Sequence, residues 1–169
     1  TVKETDSFRF DSKTGYAYST APFGIDTTEL ESAIGSKLTM VSESPAAAPF
    51  AYTNYSSEDI VQSADCSGKF DAQFDENGKL FSVTFHEQLA RSTAEEHFEA
   101  ASKRFTETFG APAVQDNNGI GTQYLEWQDK SSGTALGLTY SDLGTTDPTL
   151  MISVFEKSRY VEAGTGDWK

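Results

Sequence analysis

"KFDAQFDENGKLFSVTFHE", residues 69–87, decides the fold. Phe70, Ala72 and Phe74 alternate with polar residues, and Phe81, Val83 and Phe85 do so again after the turn "ENGK". A period of two sends successive side chains to opposite faces of a strand, so the stretch predicts an antiparallel hairpin with one apolar face. Asn77-Gly78 is a strong hairpin signal: a two-residue turn needs positive φ at both central positions, which these residue types tolerate best.

The same reading extends along the chain. "SFRFDSKTGYAYST" (7–20) predicts a hairpin around "DSKTG", with Phe8, Phe10, Tyr16 and Tyr18 in alternation. "TQYLEWQDKSSGTALGLTYSD" (122–142) predicts another across "KSSG". Tyr124, Glu126 and Gln128 share one face there, with Leu125 and Trp127 on the other. "TLMISVFEKSRY" (149–160) reads as a final strand, and "SESPAAAPFAYTNYSSED" (42–59) as a long loop holding one short strand.

Two segments change period. Asp26 and Glu29 make a capping-box pattern, Leu30, Ala33 and Ile34 an apolar stripe, and Gly35 a stop. Ser92 and Glu95 form a second such pattern before "TAEEHFEAASKRFTETFG", where Ala94, Phe98, Ala101, Phe105 and Phe109 recur at helical spacing. Helix, strands, helix, strands predicts an α+β fold with the helices packed on antiparallel sheet. It also predicts one compact domain over 1–169 with two similar halves, about 22–88 and 92–160, each a helix followed by an antiparallel meander.

The 12 Phe, 7 Tyr and 2 Trp supply a core, and the net charge of −13 is concentrated in residues 26–99, which hold fourteen acids against four bases. Such a balance opposes DNA, RNA and anionic membranes, which need a basic footprint, and favours a protein partner with a basic surface. No apolar run approaches the roughly 18 residues of a membrane span. Cys66 is the sole cysteine, so neither an internal disulfide nor a cysteine metal cluster can form, and it reads as a buried, inert thiol. The polar opening "TVKETDSF", which begins with Thr, fits a mature chain after signal removal.

"FGIDTTELESAIG" (23–35) resembles the start of the repeat unit in the β-lactamase-inhibitor-protein-like and small outer-membrane-assembly-lipoprotein group. The resemblance implies a secreted or periplasmic bacterial α+β protein whose helices pack on antiparallel sheet and which acts by binding other proteins. It assigns no functional residue.

Catalytic and metal patterns fall short. "HEQLA" (86–90) begins like a zinc-protease motif, but Ala90 stands where the second His belongs, on a segment that reads as a strand end. "QFDENGKLFSVT" (73–84) has calcium-loop spacing at Asp75, Asn77 and Gly78, yet Thr84 replaces the bidentate Glu. "NNGIG" (117–121) lacks the strand and helix of a phosphate loop. No cofactor is expected. The favoured function is a non-enzymatic binding module of inhibitor or immunity type, with Tyr52, Tyr55, Glu58 and Asp59 as the partner-binding residues. The alternative is a small hydrolase or metal-dependent enzyme using carboxylates with His86 or His97, should the two meet in space. Trp127 is expected in the sheet packing and Trp168 in a mobile tail.

Overall fold

Wherever the sequence alternates, the computed structural model, which describes residues 1–169, has strand. β7 (Ser67–Asp75) and β8 (Leu80–Gln88) form the central hairpin. On one side β7 pairs with β5 (Tyr52–Ser57), and β5 with the edge strand β4 (Leu38–Glu43). On the other side β8 pairs with β12 (Thr149–Phe155), followed by β11 (Thr134–Ser141), β10 (Thr122–Asp129) and β9 (Val114–Asn117). The two-residue β6 (Val61–Gln62) adds to β7, completing a nine-stranded antiparallel sheet. A second sheet joins β1 (Val2–Glu4), β2 (Phe8–Asp11) and β3 (Gly15–Tyr18). Three helices complete the chain: α1 (Thr27–Ile34), α2 (Ala94–Phe109) and α3 (Lys157–Glu162). The architecture is thus sheet-rich α+β with antiparallel pairing throughout.

The core lies against one face of the large sheet. Phe70, Ala72, Phe74, Val83, Phe85, Leu136, Leu138, Ile152 and Val154 are all buried there. α2 covers them with Phe98 and Phe105, and α1 with Leu30. The N-terminal sheet adds Phe8, whose ring meets Tyr18, Phe85 and Phe105 edge-on at 5.8, 6.1 and 5.9 Å. Each such side chain contributes about 1.5–3 kcal/mol by leaving water. A buried carboxylate ties the layers together: Asp65 accepts hydrogen bonds from Thr5 Oγ1, the Ser7 amide and Arg104 Nε at 2.6–2.8 Å. Trp127 is buried, and its indole donates to the Gly110 carbonyl, fastening the end of α2 to β10.

Several expectations are corrected by local physics. α1 has its full capping box and ends at Gly35 in the left-handed conformation, but the Ser92–Glu95 box does not form; α2 starts after Thr93, which makes no side-chain cap bond. The Asn77-Gly78 turn is not the two-residue type, because only Gly78 has positive φ. Gly78 donates to the Asp75 carbonyl and Asp75 to that of Lys79, so Glu76, Asn77 and Gly78 form a three-residue turn. The extra turn residue is offset by a bulge: Phe74 faces Leu80, yet Gln73 faces Ser82. Leu80 therefore joins the core, and Phe81 turns to the opposite face. The segment 42–59 holds the end of β4 and all of β5, leaving only 44–51 as the loop between them. The last strand stops at Phe155, and α3 follows.

Candidate polar-face cleft

The second face of the large sheet carries the polar halves of the alternating strands. Cross-strand register sets its side chains in rows at right angles to the strands. The middle row runs Thr39, Ser56, Asp71, Thr84, Ser153, Gly137 and Glu126. Above it lie Lys69, His86, Met151, Thr139 and Tyr124; below it, Ser42, Asn54, Gln73, Ser82 and Phe155. Hydroxyls, amides and one glycine thus floor a cleft of about 610 Å³, within the range of ligand sites.

α3 and the residues after it wall one side. Tyr160 packs on Phe50 and Phe155, with ring centres 5.2 and 5.9 Å apart. Arg159 lies over Phe81 at 4.9 Å and pairs with Asp75 at 3.1 Å. This satellite cluster explains why Phe81 is buried away from the main core. Trp168, expected in a mobile tail, instead stands 5.9 Å from Lys157 Nζ, and the Lys169 amide donates to Gln128.

Glu126 anchors this wall. Its side chain is 4% exposed, and it accepts from Lys157 Nζ at 2.7 Å, from the Tyr124 hydroxyl and from the Gln128 amide. Burial first, then the neighbouring Glu126 carboxylate, pushes the Tyr124 phenol well up, so it remains a donor. The Tyr124 ring lies over Gly137, where an added Cβ would come within 3.0 Å of its hydroxyl. Glycine there leaves room for the hydroxyl end of the ring.

At the other end, His86 Nε2 approaches Asp71 Oδ2 at 2.6 Å, with the two side chains 41% and 40% exposed. Partial burial raises the Asp71 carboxyl, but hydrogen bonds from His86 and Ser56, with positive charge from His86 and then Lys69, outweigh it and hold the group below its usual range. The Thr84 and Ser153 hydroxyls hydrogen-bond to each other at 2.9 Å. From Tyr160 a chain of bonds runs through Gln73 and Asn54 to Ser42, at 3.2, 2.9 and 2.9 Å.

His97 lies exposed on α2, across the sheet from His86, so the two histidines do not converge. No group of three or more His, Cys, Asp or Glu side chains is arranged to hold a metal ion. The four residues expected to bind a partner do not form one surface. Tyr52 is half-buried in the satellite cluster, edge-on to Phe50 and Phe81. Tyr55, three residues on and so on the other face, packs edge-on against Phe74 at 5.4 Å. Glu58 is exposed beyond the end of β5, where it accepts from Thr39 Oγ1 at 3.1 Å. Asp59 is held to Ser36 at the foot of β4.

Asp71 and His86 were missed as a pair by sequence reasoning. The available signal is the turn centre: a hairpin centred on Asn77-Gly78 sets Asp71 opposite Thr84 and Lys69 opposite His86, the register observed beyond the bulge. No protein family, no curated protein and no solved structure matches this chain.

Proposed function

We propose that this chain is a non-enzymatic protein-binding module of the periplasm or the secreted space, of inhibitor or immunity type, that engages a basic partner. The observation that carries this reading is the open polar face of the large sheet, floored by hydroxyl and amide side chains and bordered by aromatic rings. Such side chains form adaptable hydrogen bonds and rigid contact area at low entropic cost. The charge of −13, which includes the exposed carboxylates of Glu58 and Asp59 after β5, supports a cationic partner.

Two similar halves, 22–88 and 92–160, belong to the same proposal. The strand order supports them: a helix precedes β4, β5, β7 and β8, another precedes β9 to β12, and β8 pairs with β12 in the middle. The resemblance of residues 23–35 to envelope binding proteins supports the compartment.

The test is affinity capture with the chain and three variants, read by quantitative mass spectrometry. Ser153→Arg fills the cleft with bulk and positive charge, the double reversal of Glu58 and Asp59 to Lys inverts their charge, and Lys103→Glu alters the exposed face of α2. A partner with a basic surface, lost at high salt and from the first two variants but kept by the third, supports the reading. Equal capture by all three, or indifference to salt, overturns it.

A second reading, a small hydrolase using His86, is favoured by the His86–Asp71 contact alone. Of the hydroxyls on that face, Ser56 bonds Asp71, and Thr84 and Ser153 bond each other. Loss of a hydrolytic activity on His86→Ala, with His97→Ala unchanged, would establish it.

A further inference from the structure

We infer that the cleft is a seat for a guanidinium or ammonium side chain of the basic partner, with Asp71 as the group that meets its charge; this rests on the protein-binding reading above. The charges in and around the cleft support it. At one end Glu126 is neutralised by Lys157 and Asp75 by Arg159, both in close ion pairs. At the other end Asp71 hydrogen-bonds to an imidazole, which carries a full charge only when protonated. Lys69, the cation nearest in register, has its ammonium on the Ser57 and Glu58 carbonyls at 3.1 and 2.7 Å. Asp71 is thus a half-exposed carboxylate on the floor whose close partners are an imidazole and the Ser56 hydroxyl, with no lysine or arginine in contact.

The surroundings suit a long cationic side chain. Thr84 and Ser153 line the cleft with hydroxyls that can accept further hydrogen bonds, Met151 adds a polarisable side chain, and Tyr124 an aromatic one, which suits a guanidinium. A cleft of about 610 Å³ holds such a side chain together with adjoining backbone.

The two methionines make the test direct, because Met151 lines the cleft and Met40 lies exposed on the edge strand. The chain, labelled with ¹³C at the methionine methyls, is titrated with N-acetyl-arginine methylamide and with its neutral isostere, N-acetyl-citrulline methylamide. We expect the Met151 signal to shift saturably with the arginine compound while Met40 stays still. Citrulline should bind at least tenfold more weakly, as should arginine to Asp71→Asn. An unmoved Met151, equal binding of citrulline, or an unchanged Asp71→Asn overturns the proposal. If capture depends on Ser153 while arginine fails to bind, the docking face stands and the cation seat falls. If arginine binds while capture ignores the cleft, the seat stands and the macromolecular reading falls.

Discussion

Replacing Lys157 by Met should destabilise the protein more than any exposed substitution, because it strands a buried carboxylate. Glu126 is 4% exposed and Lys157 11%, and their contact is 2.7 Å. In Lys157→Met, Glu126 keeps the Tyr124 hydroxyl and the Gln128 amide but loses its only counter-charge. Removing one partner of a buried pair costs about 3–5 kcal/mol. For a chain of this size each kcal/mol moves the melting temperature by about 2–4 °C, so a fall of roughly 6–20 °C is expected. The double variant Glu126→Gln/Lys157→Met removes both charges and should recover most of the loss. Urea unfolding followed by far-UV circular dichroism gives the free energies. Fluorescence of Trp168, which lies beside Lys157, reports the wall of the cleft separately once Trp127 is replaced by Phe in both backgrounds. A single-variant loss below about 1 kcal/mol, or a double variant no better than the single, would refute the view that this pair fixes α3 to the sheet.

Three further outcomes follow from the same contacts. Phe8→Ala empties a site between the N-terminal sheet, β8 and α2, and should cost about 3–5 kcal/mol in urea unfolding; a loss under 1 kcal/mol would mean that sheet is not part of the core. Asp71 titrates below its usual range in the folded chain, so its stabilisation is present above the unfolded value of about 4 and is lost as the pH falls through the lower folded value. Unfolding midpoints between pH 5 and 2 should therefore fall less steeply in His86→Ala, whose Asp71 lacks the imidazole bond; parallel profiles would contradict the pairing. Burial, with Glu87 nearby, pushes the Cys66 thiol up, so iodoacetamide should label it only as fast as the chain unfolds, whereas rapid labelling of the native protein would contradict its burial.

How legible the fold was depended on how local its causes were. The hairpins at 7–20, 69–87 and 122–142 and the stripe of α2 come from polarity patterns within one element, and each is present. Phe81 was misplaced because one bulge shifts a side chain to the other face, a choice set by turn geometry and the aromatic company of Phe50 and Tyr160. α3 was hidden because "EKSRY" has little apolar pattern of its own; it is held by the Lys157 and Arg159 ion pairs and the Tyr160 ring. The candidate site was the least legible part. Asp71 and His86 are fifteen residues apart and meet only through hairpin register, while Tyr52 and Tyr55, three residues apart in what reads as a loop, are sent to opposite faces by period two.

The central claim, that the polar face of the large sheet is the docking surface, is tested most directly by site-specific photo-cross-linking. A benzophenone amino acid placed at Thr139 lies on that face, and one placed at Lys103 lies on the outer side of α2. In extract from the source cells, a single basic protein should be cross-linked from position 139 and not from position 103. Cross-linking from position 103, or from neither, would contradict the claim.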